Sequence, residues 1–195
     1  MRKIEDFDWV EMWKEAIEGS HWGQRAGMPE FWDERVDWFE KLVQQSDRAG
    51  MIMSRIEIEP DYRVLDIGAG PGTTAIPLAK IVKGVTVVEP SGGMLARLKE
   101  NASKHNLANI TYIPKKWEDV EIGKDIEAGE HDVVIASHSP VMKDIKTAIM
   151  MNNAAKRSVY IFIVAGRRNE KAGSSLWSLF NCNDMVEEGK TRIVS

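Results

Sequence analysis

Apolar and polar positions follow two different periods along the chain. In its first part the apolar residues recur at helical spacing, as Trp9, Trp13 and Ile17 do at i, i+4 and i+8. A break containing glycine and proline at residues 23–29 interrupts this pattern, and helical spacing resumes at Phe31. The spacing predicts two or three amphipathic helices before about residue 55.

From residue 62 onward, short apolar runs alternate with helical segments, which is the pattern of strands and crossover helices around a parallel sheet. The predicted strands cover residues 63–67, 85–89, 110–113, 133–137 and 159–164. The predicted helices cover residues 73–83, 93–105, 141–155 and 174–180. The pattern therefore predicts an α/β fold with a doubly wound, mainly parallel sheet, helices on both faces, and a helical segment before it.

The change of period divides the chain into a Trp-rich helical appendage at residues 1–55 and a ligand-binding domain at residues 56–195. Only about thirty residues follow the fifth predicted strand, which is short for a complete sheet of this type. We therefore expect a minimal sheet, truncated C-terminal strands, or a partner or second copy of the chain that covers the sheet edge.

Composition and charge narrow the classes of function. The 195 residues are 43% hydrophobic, enough for a core, and the net charge of -4 with scattered basic residues disfavours bulk nucleic acid as a partner. With Cys182 as its single cysteine, the chain has no internal disulfide or multi-cysteine metal site, and no metal is expected. No signal peptide or membrane span is evident, so the expected location is the cytoplasm.

The strongest motif is an apolar strand that runs into a glycine-rich turn and then a helix, Val64-Leu65-Asp66-Ile67-Gly68-Ala69-Gly70-Pro71-Gly72-Thr73. Glycine permits a tight turn and lets a ligand approach the backbone, while the N-terminus of the following helix offers unpaired N–H groups. Glu89 stands about 20 residues later at the tip of the second predicted strand. A carboxylate there can accept hydrogen bonds from both hydroxyls of a ribose.

These two segments, Asp66 to Gly72 and Val88-Glu89-Pro90-Ser91, resemble the first two motifs of the class I S-adenosylmethionine-dependent methyltransferases. The resemblance extends over roughly residues 60–165 and implies a Rossmann-like fold with S-adenosylmethionine as cofactor. It implies that the turn lies against the methionine part of the cofactor, that Asp66 orients its amino end, that Glu89 holds the ribose and that Met94 flanks the adenine. The cofactor-binding residues that it implies here are Asp66, Gly68, Ala69, Gly70, Glu89, Pro90 and Met94.

The third motif departs from the family pattern. Lys116 stands where an acid that contacts the adenine amino group is expected. The neighbouring Glu118, or backbone groups near Trp117, are the candidates to replace it.

The fourth strand ends in Ser137-His138-Ser139-Pro140, where this family meets both the methyl group and the acceptor. Ser137 is a candidate cofactor contact. His138 is the candidate catalytic residue, because imidazole titrates near neutral pH and can take a proton from an acceptor. The alternative is a histidine that only shapes the pocket, and the remaining histidines, His21, His105 and His131, are interpreted as surface or loop residues.

The acceptor is sought in the appendage, where Trp22, Phe31, Trp32 and Arg35 are candidates for a lid and an aromatic wall. Aromatic residues at helical spacing more often form core, so this alternative stays open.

The sequence thus favours an enzyme, a methyltransferase that acts on a small molecule. A non-catalytic S-adenosylmethionine-binding subunit or sensor that needs a partner is the first alternative. A nicotinamide-dependent oxidoreductase, which shares the glycine turn and the acidic strand end, is the second.

Overall fold

A computed structural model describes residues 25–141 and 144–163 of the chain. Five parallel strands form one sheet in the order β3-β2-β1-β4-β5. The strands are β1 Arg63–Ile67, β2 Gly84–Val88, β3 Ile110–Ile113, β4 His131–Ser137 and β5 Ala155–Phe162. The chain changes direction across the sheet between β1 and β4, and ligands of open α/β sheets bind at the carboxyl ends of the strands beside such a point. The predicted α/β fold is confirmed.

Helices lie before and between the strands. They are α1 Pro29–Asp33, α2 Val36–Gln44, α3 Arg48–Met53, α4 Ala75–Ala79, α5 Gly92–Lys104 and α6 Ile145–Ala154, and a 3-10 turn covers Trp117–Asp119. The first three are the described part of the predicted helical segment. Within the two described ranges, no helix is both long enough and apolar enough to cross a bilayer.

Each face of the sheet has its own apolar core, because alternate residues of a strand point to opposite faces. On one face, Val64 of β1 packs with α3, α4 and α5 through residues such as Ile52, Leu78 and Leu98. On the other face, Leu65 and neighbouring apolar residues pack with α6 and with the fully buried Trp117. The sheet is therefore doubly wound, as the sequence pattern predicts.

Several element boundaries differ from the predicted ones, and three of the differences have local causes. Helix α4 is shorter because residues 71–74 form a turn before it. Helix α6 begins at Ile145 rather than at residue 141, because Asp144 and Thr147 form a reciprocal capping box that fixes its N-terminus. Strand β5 begins at Ala155, four residues early, directly after α6 ends.

The interpretation of His131 as a surface or loop residue is wrong. It is the first residue of β4, it is only 2% exposed, and its Nε2 lies 2.9 Å from the hydroxyl oxygen of Thr86. Strand β4, which lies between β1 and β5, starts two residues before its apolar run, and the imidazole of His131 reaches Thr86 of β2. His105 is exposed at the C-terminal cap of α5, as predicted.

Several predictions fall outside the described residues. These are the role of Trp22, the position of His21, the helix at 174–180, any further strands, and the surroundings of Cys182.

Candidate cofactor and acceptor cleft

A cleft of about 700 Å³, including its open mouth, lies at the carboxyl ends of β1, β2 and β4. Its walls come from the glycine-rich turn, the tip of β2, the segment around the 3-10 turn, the end of β4, and the segment 26–39 before the sheet. We call this the main cleft. A smaller side lobe adjoins it and shares Phe39, Gly68, Gly70 and Ser137 with it.

The turn after β1 forms the floor where the two spaces meet. Gly68 has a φ of +71°, and a Cβ at this position would lie 1.9 Å from Oγ of Ser139. Its backbone N–H donates to the carbonyl of Val88 over 2.7 Å, which ties the turn to β2. Only glycine therefore fits this position, and its bare backbone faces the cleft.

Glu89 follows β2 directly, and its carboxylate is held by backbone amides. The N–H of Gly70 donates to Oε2 over 2.8 Å, and the N–H of Ser91 donates to Oε1 over 2.9 Å. Burial raises the pKa of Glu89 and the nearby charge of Asp33 adds to this, while the two amide hydrogen bonds act in the opposite direction. The carboxylate is thus oriented in the cleft, and each oxygen retains capacity to accept another hydrogen bond.

Asp66 ends up beside the side lobe with its carboxyl 1% exposed. Burial and the charge of Glu89 raise its pKa to about 7, against the effect of a backbone hydrogen bond from Ala75. Its Oδ2 has no hydrogen-bond partner, and neither does the buried hydroxyl of Thr73 in the same lobe. Two buried polar atoms without partners mark a place that a polar ligand group can satisfy.

Arg48, at the start of α3, brings a positive charge to the side lobe. Burial lowers the pKa of its guanidinium. Its charge also helps to lower the pKa of His138, so the two side chains are electrostatically coupled. A cation, a buried acid and a glycine turn together complement a group that carries both a carboxylate and an ammonium.

The far end of the main cleft is formed by the segments predicted to contact adenine. Pro90 and Met94 line it from the β2 side, and Lys116, Trp117 and Glu118 line it from the 3-10 turn. The indole N–H of Trp117 donates to the carbonyl of Thr147 over 3.0 Å, so this ring is anchored in the core. The predicted cofactor residues Asp66, Gly68, Ala69, Gly70, Glu89, Pro90, Met94, Trp117, Glu118 and Ser137 all border the main cleft or the side lobe.

The end of β4 forms the opposite wall. His138 has a φ of +53°, and its Nδ1 lies 2.9 Å from the hydroxyl oxygen of Ser137. Burial, and secondly the charge of Arg48, lower the pKa of His138 to about 4. The imidazole is therefore neutral near pH 7 and can accept a hydrogen bond or a proton, but as a weak base.

The four predicted acceptor residues have different positions. Phe31 is buried, and the described cleft wall does not include it. Trp32 lines the main cleft, with its indole N–H bonded to the carbonyl of Ala26 and its ring edge-on to Phe39 at 5.4 Å. The guanidinium of Arg35 instead lies 4.0 Å from the ring centre of Phe31, and the described cleft wall does not include it. Trp22 lies outside the described residues.

Sequence reasoning missed several residues that form this site. Arg48, Phe39 and Met28 line it, and Asp33 reaches the segment that holds Glu89. All four belong to the segment before the sheet, which carries no motif. The hydrophilic arginine within an apolar stretch at 48–53 was the one available signal. Among the described residues, no group of three or more metal-binding side chains occurs.

Comparison with known proteins matches the part of the chain that contains the glycine-rich turn and most of the sheet. A family model described as a methyltransferase domain matches residues 64–157. An uncharacterised protein of Haemophilus influenzae is 34% identical over 139 residues, which cover 70% of this chain and 50% of that protein. The chain thus spans half the length of this relative.

Two further matches differ in the acceptor that their names state. The 23S rRNA (uracil(1939)-C(5))-methyltransferase RlmD of Xanthomonas euvesicatoria is 44% identical over 57 residues, or 29% of this chain and 13% of that enzyme. The structure of phosphoethanolamine N-methyltransferase 1 of Haemonchus contortus, in complex with phosphoethanolamine and S-adenosylhomocysteine, superposes with a TM-score of 0.58 at 16% identity. This superposition covers 94% of the present chain and 38% of the other. Residues 64–157 thus match a methyltransferase domain, and the described chain has the Rossmann-like fold of the S-adenosylmethionine-dependent methyltransferases.

Proposed function

We propose that the chain transfers a methyl group from S-adenosylmethionine to a small organic acceptor that binds between the segment 26–39 and the end of β4. The observation that carries this proposal is the continuity of one cleft. It runs from the glycine turn and Glu89, which suit the cofactor, to a wall of Met28, Trp32 and Val141 that can hold an apolar molecule.

The residues in the cleft fit each part of this cofactor. Glu89 offers two carboxylate oxygens to the ribose hydroxyls, and Met94 offers an apolar surface to the adenine. The orphaned Oδ2 of Asp66 is the natural partner for the α-ammonium group, and Arg48 is the natural partner for the α-carboxylate. An adenosyl amino acid would thus satisfy atoms that otherwise lack partners.

When bound, the cofactor supplies an electrophilic methyl group on a sulfonium, and no metal is needed for its transfer. The tasks left to the chain are to align the acceptor with that methyl group and to exclude water. Trp32, anchored by its hydrogen bond to Ala26, and Pro140 form opposite walls for this purpose. A neutral His138 can accept a proton or orient the attacking atom through a hydrogen bond.

Two features support a small acceptor rather than a large one. The segment 26–39 forms one wall of the cleft and leaves a limited space, and the chain carries a net charge of -4, which disfavours a polyanion. The match to an rRNA methyltransferase covers only 57 residues, so it carries little information about the acceptor. In this proposal, residues 25–44 form one wall of the site and cover it.

The test is transfer of labelled methyl from S-adenosylmethionine into a cell extract separated into low-molecular-weight, protein and RNA fractions. Label in the low-molecular-weight fraction is the expected result. Label in RNA alone would refute the small acceptor. Cofactor binding without transfer to any fraction would favour a non-catalytic binding subunit instead.

A matched pair of variants places the acceptor once it is identified. Trp32→Ala removes a cleft wall, and we expect it to raise KM for the acceptor about tenfold or more while it changes cofactor affinity little. Trp38→Ala removes an indole that is 52% exposed and outside the cleft, and it should leave KM unchanged.

A further inference from the structure

The carboxylate of Asp33 links the segment before the sheet to the cofactor half of the site. Its Oδ1 accepts from the hydroxyl of Ser91 over 2.6 Å and from the backbone N–H of Gly93 over 2.8 Å. Ser91 is fully buried, and its backbone N–H donates to Glu89 over 2.9 Å. A continuous chain of hydrogen bonds thus leads from Asp33 to Glu89.

Ser91 has little freedom to turn within this chain. Its hydroxyl oxygen accepts from the N–H of Met94 over 3.1 Å, as the N-terminal cap of α5, while its proton is donated to Asp33. Both bonds fix the side chain, and the backbone N–H that holds Glu89 belongs to the same residue. A change at Asp33 is therefore transmitted to the orientation of the Glu89 carboxylate.

The N-terminus of α5 packs closely against the segment before the sheet at the same contact. A Cβ on Gly93 would lie 3.0 Å from Cγ2 of Val36 and 3.2 Å from Oδ1 of Asp33, whereas a Cβ on Gly92 would meet nothing within 4 Å. One side of the N-terminus of α5 is thus in direct contact with the segment, and the other side is open.

A second set of contacts holds α2 to α5. The guanidinium of Arg97 pairs with Asp37 and Glu40, and the amide of Asn101 donates to Glu40 over 2.9 Å and to the carbonyl of Pro71 over 3.1 Å. These contacts attach the segment to the glycine turn as well as to α5. None of these contacts involves Ser91 or Glu89, so they supply a control.

We propose that Asp33 is a positioning residue that, through Ser91, fixes the Glu89 carboxylate for the ribose hydroxyls, so that docking of residues 29–44 and binding of the cofactor are coupled. This inference rests on the proposed role of Glu89. Because coupling between two sites is reciprocal, the bound cofactor also strengthens docking of the segment that forms the acceptor wall. Occupation of the cofactor site would then prepare the acceptor site.

The experiment measures affinity of the full-length chain for S-adenosylhomocysteine and for its 2′,3′-dideoxy analogue, which lacks the ribose hydroxyls. The ratio of the two affinities reports how well Glu89 recognises the ribose. We expect Asp33→Ala to reduce this ratio about tenfold, since it frees Ser91. Asp33→Asn retains an acceptor oxygen and should restore most of the ratio.

Two controls separate positioning from stability. Asp37→Ala removes a partner of Arg97 without touching Ser91 and should leave the ratio unchanged, even if the protein melts at a lower temperature. Glu89→Gln should abolish most of the preference. If Glu89→Gln retains it, the role of Glu89 itself is refuted, whereas an effect of Glu89→Gln without one of Asp33→Ala refutes only the coupling. An equal loss for both ligands in Asp33→Ala would also overturn the proposal.

A second pair of variants applies if Asp33→Ala does not fold. Gly93→Ala crowds Asp33 and should reduce the ratio, and Gly92→Ala should not. A pH series gives an independent readout, because the charge of Asp33 contributes to the raised pKa of Glu89. Asp33→Asn should therefore lower the pH at which ribose recognition is lost, and an unchanged midpoint would contradict the proximity of the two charges.

Discussion

The proposed cofactor half and the proposed acceptor half of the cleft are built in different ways. The cofactor half consists of the glycine turn and the tip of β2, which parallel pairing of β1 with β2 brings side by side, with Gly70 and Glu89 only 19 residues apart. The acceptor half joins the end of β4 to the segment 26–39, which lies about a hundred residues away in sequence. The first half depends on backbone geometry that a motif reveals, and the second depends on tertiary docking.

The two halves also differ in electrostatics. Two buried carboxyls, those of Asp66 and Glu89, have raised pKa values on the cofactor side. On the acceptor side the titratable His138 has a lowered pKa, so it is neutral near pH 7. In the proposed function, the cationic cofactor would therefore bind next to acids, and the acceptor would bind next to a neutral imidazole.

The largest expected effect concerns the floor of the cofactor half. Gly68→Ala should abolish cofactor binding, because a Cβ would clash with Ser139 and close the backbone approach at a φ of +71°. Gly123→Ala is the matched control, since its φ of +93° carries similar strain but a Cβ there meets nothing within 4 Å. It should cost about 1 to 2 kcal/mol of stability and leave binding intact. Calorimetric titration with S-adenosylhomocysteine distinguishes the two, and retained binding by Gly68→Ala would be contrary to the proposed floor.

The next effect tests the side lobe. Arg48→Met should weaken binding of S-adenosylhomocysteine by about 1.5 to 3 kcal/mol, since it removes the charged partner of the carboxylate. It should barely change binding of 5′-methylthioadenosine, which lacks the amino acid end. Arg55→Met, at a position outside the cleft wall of the described chain, is the control. An equal loss of affinity for both ligands would refute the proposed contact between Arg48 and the carboxylate of the cofactor.

Asp66 gives an effect of opposite sign on stability and on binding. Because its folded pKa of about 7 exceeds the ordinary value of 3.8, the folded chain binds more protons than the unfolded chain, and stability falls as pH rises from about 4 to 7. The free energy of unfolding of Asp66→Asn at pH 8 should therefore exceed that of the wild type by about 1 to 3 kcal/mol. At pH 4 the two should be equal.

The same variant should bind the cofactor more weakly at pH 8, because it has lost the charge that faces the ammonium. Urea titrations and calorimetry at the two pH values measure both effects. A variant that is less stable than the wild type at pH 8 would show that Asp66 already has a favourable partner.

The smallest expected effect is at the acceptor wall. His138→Gln keeps a hydrogen-bonding side chain without a titratable group. It should reduce kcat only about fivefold, with little change in cofactor affinity, because a base with a pKa of about 4 contributes less than a base that titrates near neutral pH. An unchanged kcat across the pH range would show that His138 only lines the cleft.

The contrast between the halves explains what the sequence could predict. Strands β1 and β3 were predicted to the residue, because apolar runs bounded by turns specify buried parallel strands. The turn and Glu89 follow from local motifs, and Met94 follows from the family resemblance. Arg48 and Asp33 could not be predicted, because their roles arise from packing of α1 to α3 against the sheet domain. The sequences of short helices with polar faces do not indicate how those helices pack. His131 was misinterpreted because a polar side chain at a strand start gives no apolar signal.

The most direct measurement is calorimetric titration of S-adenosylhomocysteine into the folded full-length chain and into Glu89→Ala. We expect saturable binding to the wild type, and a loss of about 1 to 3 kcal/mol in the variant, because a charged acceptor for the ribose hydroxyls is removed. Absence of saturable binding to the well-folded wild type, or equal affinity of the two proteins, would contradict the proposed site.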